Sequence, residues 1–142
     1  MGLGTTARQS ICLLYFNATA HAGFADNTAT SPVTTLPVSG HTADPTSGNQ
    51  TTSEASYTGY SRGTPARTSG GYSCTAGVAT NVATVSLGAC SGGSNTLTHA
   101  AVGKSSSGTG EVLCAGALTA SLAVSSGITP QFSASALSVT WA

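Results

Sequence analysis

The sequence predicts an all-β fold, an antiparallel β-sandwich of jelly-roll type with one short N-terminal helix. Three observations carry this expectation. Between Ala117 and Ala142, Leu118, Ala120, Leu122 and Val124 alternate with small or polar residues. The alternation resumes with Ile128, Pro130, Phe132 and Ala134, and again with Leu137, Val139 and Trp141. Successive side chains of a strand point to opposite faces, so this reads as three consecutive strands in a sheet that buries one side. Upstream, short apolar stretches recur at roughly 8 to 15 residue intervals between Gly/Ser-rich turns, the spacing of a sandwich or barrel. No helical pattern lies between the strands, which argues against a parallel sheet.

In chain order, 1–30 reads as an N-terminal arm, helix and loop attached to a single β-sandwich domain spanning 1–142. Thr5 or Thr6 is placed to cap a helix through Ala7 to Phe16, with Ile11, Leu14 and Tyr15 on one face. Asn17 to Thr30 has no period and reads as a loop. Pro32 to Gly40 reads as a strand interrupted by Pro37. His41 to Gln50 is a long turn in which Asp44 accepts local N–H groups and Pro45 fixes φ. Glu54 to Arg67 carries Tyr57, Tyr60, Arg62 and Arg67, the densest cluster of large polar side chains in the chain. Gly70-Gly71 turns the chain. Asn81 to Leu87 reads as a short strand with Ala83, Val85 and Leu87 on one face. Thr96 to Gly103 and Glu111 to Ala115 follow as strands around a flexible Ser105 to Gly110 turn.

Composition narrows the function classes. Of 142 residues only 6% are charged, the net charge is zero and 39% are hydrophobic. That apolar fraction is too high for a disordered chain, and zero net charge favours association with other copies or another protein. Arg8, Arg62, Arg67 and Lys104 are scattered singly, so no basic patch exists to neutralise phosphates, and nucleic acid is not an expected partner. No apolar run approaches the roughly 18 to 20 residues of a membrane-spanning helix, so no membrane partner is expected, and Ile11 to Phe16 lacks the flanks of an export signal.

Catalysis is not expected. His21, His41 and His99 are the only neutral-pH acid–base candidates, and His99 sits within a strand pattern where local hydrogen bonding is its ordinary fate. Asp26, Asp44, Glu54 and Glu111 are isolated, no serine occupies a nucleophile elbow, and Ser107-Gly108-Thr109-Gly110 lacks the helix that a phosphate loop requires. Cys12, Cys74, Cys90 and Cys114 are too widely spaced for a paired metal-ligand motif and read as buried free thiols. A disulfide would need an oxidising compartment. No cofactor or metal is expected.

One stretch is more specific than composition. His41-Thr42-Ala43-Asp44-Pro45, followed by Gly48 to Arg62 with its Tyr57-Thr58-Gly59-Tyr60-Ser61-Arg62 run, resembles a family of small tailed-bacteriophage virion proteins, often labelled tail fibre or structural proteins. Thr98 to Gly103, Ser106 to Gly108, Gly116 to Leu118 and Gly127 to Pro130 are also similar, so the resemblance covers most of residues 7 to 140. Gly40 departs from it by standing where a bulky strand residue is expected. The resemblance implies a non-catalytic virion component, assembled in the bacterial host cytoplasm, whose partners are other copies, in a trimer, and a major capsid or tail protein. Its short globular form favours a capsid decoration, or cement, protein; a tail fibre or tip component contacting the host is the alternative.

Asp44, Glu54, Tyr57, Tyr60, Arg62 and Arg67 are the candidate interface residues, since Tyr and Arg are common interface anchors. The competing reading is that they fix the turn and an ion pair inside the chain. On the interface reading, Arg62→Ala costs assembly more than folding. A carbohydrate-binding module ranks last, because Trp141 is the only Trp and its phase places it on the buried face.

Overall fold

The computed structural model describes residues 4–21 and 31–140. Of the loop expected from Asn17 to Thr30, Asn17 is the last residue of the helix and residues 22–30 lie outside the described residues, as does the inward phase of Trp141. The fold class is as the sequence predicts: one N-terminal helix, α1 (Thr5–Asn17), is followed by short strands in antiparallel sheets. The strands are β1 (Val38–His41), β2 (Tyr72–Thr75), β3 (Val78–Asn81), β4 (Val85–Ser86), β5 (Asn95–Gly103), β6 (Val112–Val124), β7 (Gln131–Phe132) and β8 (Ser138–Thr140). They gather into two compact units, 1–35 with 65–84 and 132–142, and 36–64 with 85–131.

The first unit is built on a hairpin that the periodicity missed. β2 and β3 pair antiparallel from Tyr72↔Asn81 to Thr75↔Val78, and β8 adds to β3, giving the order β2-β3-β8. The two-residue loop is Ala76-Gly77, with φ of 52° and 80°. Both angles are left-handed, as a tight hairpin of the favoured twist requires, but the first position is an Ala rather than the Asn or Asp that would announce the turn.

Helix α1 packs on β2 and β3. It starts at Gly4, without a side-chain cap, and ends at Ala18 with φ 54°. Thr5 and Thr6 lie inside the helix instead of capping it. Its buried residues are Cys12 and Phe16, one turn apart, and the Phe16 ring meets Tyr72 edge-on at 4.8 Å. The expected Ile11/Leu14/Tyr15 face is therefore corrected: Tyr15 is 44% exposed, and the helix is turned so that its one Phe fills the sheet.

The C-terminal alternation also resolves differently. The expected strands at Glu111 to Ala115 and from Ala117 onward merge into one strand, β6 (Val112–Val124), which pairs with β5. Within 128–134 only Gln131–Phe132 is strand, pairing with β4, and β8 joins β3. The break at 133–136 has a named cause. The buried Asn81 amide donates to the Ala83 and Ser133 carbonyls and accepts from the Leu137 N–H, while Ser135 turns with φ 63°. One side chain thus satisfies backbone groups that a continuing ladder would have paired. The same amide interrupts the expected 81–87 strand; Val85 and Leu87 are buried, but Ala83 is exposed.

In the second unit the order is β1-β5-β6, with Val38↔Val102 through His41↔His99 in register. Every residue of β1 is buried, because Gly63 and Glu54 bridge to its other side. Gly40 finds its physical reason here: a Cβ would come within 2.9 Å of Leu87 Cδ1 and 3.0 Å of Leu97 Cδ1, so two leucines occupy the room of the bulky residue expected at that position. β6 lies at the edge and is mostly exposed, Leu122 to 38%, where the alternation predicted a buried face. Its register against β5 jumps from Leu97↔Leu122 to His99↔Ala117, two residues on one strand against five on the other, so β6 bulges around 118–121.

Candidate functional site: a buried Glu54–Arg62 clamp on an exposed loop

The β5–β6 connection, Lys104 to Glu111, is an uncharged Ser/Gly/Thr loop between two oppositely charged ends. Ser106 to Thr109 are exposed. Such a sequence has no apolar anchor of its own, so its order has to come from groups beneath it. The chain supplies them from the segment with the densest large polar side chains.

Arg62 is 8% exposed and uses its donors in two directions. Towards Glu54, Nε donates to Oε1 at 2.6 Å and Nη2 to Oε2 at 2.7 Å, a bidentate pair. Towards the loop, Nη1 donates to the Ser105 carbonyl and Nη2 to the Gly108 carbonyl, both at 2.8 Å. The planar guanidinium fork suits this double task, whereas a lysine would present one point charge. The hydrogen bond to Glu54 raises the Arg62 pKa further, so the charge is permanent.

The carboxylate is held from a third side. The Tyr60 hydroxyl donates to Glu54 Oε1 at 2.8 Å and accepts from the Gly40 N–H at 3.2 Å, tying the clamp to β1. Burial, then Glu54, drives the Tyr60 pKa far above its ordinary value, keeping the hydroxyl a donor. Tyr57 packs edge-on against Tyr60 at 5.4 Å and donates to the Leu87 carbonyl at 2.7 Å; burial pushes its pKa to about 12. Asn95 Oδ1 accepts the Ser56 and Tyr57 N–H groups, fixing the approach of this segment.

A second anchor was not singled out from the sequence. Gln50 is wholly buried, accepts the Ser105 N–H on Oε1 at 2.9 Å, and donates its own N–H to the Gly110 carbonyl at 2.8 Å. Gly103 and Gly110 leave it room, since a Cβ at either would lie 2.1 Å from the Gln50 amide.

His41 completes the underlay. Its Nδ1–H donates to the Thr52 carbonyl at 2.9 Å and Nε2 accepts the Ser39 hydroxyl at 2.8 Å, which fixes the neutral tautomer. Burial lowers its pKa.

Of the six candidate interface residues, Glu54, Tyr57, Tyr60 and Arg62 meet in this cluster. Asp44 stands apart and exposed at the preceding turn, where the Thr46 N–H holds its carboxyl below the usual range. Arg67 lies in the other unit, donating to the Leu14, Tyr15 and Val33 carbonyls. Cys12, Cys74, Cys90 and Cys114 are free thiols, and among the described residues no group of three or more His, Cys, Asp or Glu is arranged for a metal ion.

The Glu54–Arg62 ion pair is thus fully engaged and holds an exposed, uncharged loop. Residues 14–140 match the family described as podophage GP4 fiber I protein gp80. The chain belongs to this family. It is thereby a member of a phage fibre family, a virion structural class, as the resemblance of the His41–Arg62 stretch implied. No curated protein matches it. The matched span of this fiber I family member includes the Ser105–Thr109 loop and the Glu54, Arg62 and Gln50 side chains beneath it.

Proposed function

We propose that the chain is a non-enzymatic fibre component of the virion, carried at the tail, where its Ser105–Thr109 loop and the neighbouring outer strand β6 contact a partner protein or the host surface. The observation that carries this reading is the match of residues 14–140 to a fibre family. The geometry adds the mechanism. Arg62 and Gln50 order the loop in advance, so its binding loses less conformational entropy than a free serine loop would. Copies of the chain assemble with one another, as a trimer, and with a tail protein. Three of the basic side chains are engaged with oxygens of the chain itself: Arg62 with Glu54, Arg67 with carbonyls and Lys104 with Glu111. This favours an uncharged partner over nucleic acid. Among the described residues no helix is long and apolar enough to cross a membrane.

The test is position and copy number: cryo-electron microscopy of intact particles, or mass spectrometry of separated heads and tails. A few copies at the tail are expected. Hundreds of copies on the head lattice would overturn tail placement and restore capsid decoration, the placement that the short globular form of the sequence favoured.

A further inference from the structure

Cys12 on α1 and Cys74 on β2 meet in the first unit across a separation of 62 residues. The Cys74 thiol donates to the Cys12 carbonyl with Sγ···O at 3.3 Å, which sets the Cys74 sulfur against the Cys12 backbone. Their alignment is set by Gln9, one turn earlier on the helix. Its Nε2 donates to the Cys74 carbonyl at 3.1 Å and its Oε1 accepts the Gly77 N–H at 2.8 Å, pinning α1 to the β2–β3 hairpin. Cys12 is fully buried and Cys74 half-buried, so Cys74 is the less protected residue of the pair.

We infer that Cys12 and Cys74 form a latent disulfide, closed by thiol–disulfide exchange with a low-molecular-weight disulfide once the protein leaves a reducing cytosol. Cys74 loses its proton to solvent, and its thiolate attacks one sulfur of the small disulfide. A mixed disulfide forms and one small thiolate leaves. That thiolate takes the Cys12 proton; Cys12 then attacks the Cys74 sulfur and expels the second small thiolate, which is protonated by solvent. Two protein thiols are oxidised to one disulfide, and the small disulfide is reduced to two thiols. Burial raises both protein thiols above the ordinary range, so the reactive thiolates are scarce and closure is slow. The bond would join the helix covalently to the sheet and close a long loop, which stabilises by restricting the unfolded chain.

The experiment takes the full chain purified reduced, incubates it with oxidised glutathione at mildly alkaline pH, alkylates what remains and maps the peptides. Expected are two unalkylated cysteines, a mass lower by two hydrogens, a linked Cys12–Cys74 peptide pair, and a melting temperature higher by roughly 5 to 10 °C. The link should vanish in Cys74→Ala and persist in Cys90→Ala. Four alkylated thiols after prolonged oxidation, a glutathione adduct that stays on Cys74, or a link surviving Cys74→Ala would each overturn the inference.

Discussion

Arg62 and Arg67 are near neighbours in sequence and are both held by backbone carbonyls, yet they act on different levels of structure. Arg67 caps a helix: it donates to Leu14 and Tyr15, carbonyls of the last turn of α1, where the helix presents its negative end. Arg62 instead ties down a loop: it joins a largely buried carboxylate to the Ser105 and Gly108 carbonyls. Desolvation alone drives the Arg67 pKa down, while Glu54 raises that of Arg62. Removing either costs hydrogen bonds, but only removal of Arg62 strands an opposite charge inside the protein.

That contrast sets the expected sizes. Arg62→Ala should destabilise the protein by about 3–5 kcal/mol, because Glu54 is left buried and uncompensated. Glu54→Ala should cost a similar amount, and the double variant clearly less than the two together. Urea unfolding of the four proteins checks this, and additive losses would remove the claim that the pair acts as a unit. The folding cost bears on the interface reading of Arg62: a variant that assembles poorly must first be shown to be folded.

Arg67→Ala should cost about 1–2 kcal/mol through lost capping hydrogen bonds. Helical circular dichroism should fall with it, and a lost signal at Arg62→Ala instead would invert the comparison.

A smaller effect is pH-dependent. The folded state holds His41 neutral with a lowered pKa, so the unfolded chain binds the proton more readily. Stability from this group is therefore intact above the unfolded value of about 6.5 and is lost as pH falls through the folded pKa. The urea midpoint should decline below pH ~6.5 in the native protein and flatten in His41→Gln. The smallest effect is expected at the exposed Lys104–Glu111 pair, 3.0 Å apart at the loop ends: Lys104→Ala should change stability by less than about 1 kcal/mol and leave the loop in place, because Arg62 and Gln50 hold it.

The fold class was legible because β-structure of this kind writes itself in period two, and β5 appears nearly where Thr96 to Gly103 placed it. The helix was legible in extent but not in orientation. Ile11, Leu14 and Tyr15 looked like its buried face, and only the sheet beneath determines that Cys12 and Phe16 are turned inward. The Tyr72–Asn81 hairpin was hidden by an Ala in a left-handed position. Asn81 explains why the last alternation broke: a side chain acting as backbone leaves no periodic trace. Glu54 to Arg67 stood out as the densest cluster of large polar side chains and His41 to Arg62 by resemblance, but Gln50 and the loop it holds emerge only from contacts distant in sequence.

The bulge in β6 has a consequence for how such a chain survives at high concentration. An edge strand of 13 residues without a single charge is a template for adding further strands, and a molecule of zero net charge has no electrostatic repulsion to prevent it. Where the strand departs from its partner around 118–121, the row of outward amides and carbonyls is split into two short stretches on either side of a kink. A second edge laid against it would find registry for a few residues and then lose it. The misfit in the backbone thus shortens the stretch open to edge pairing in a strand whose side chains carry no charge.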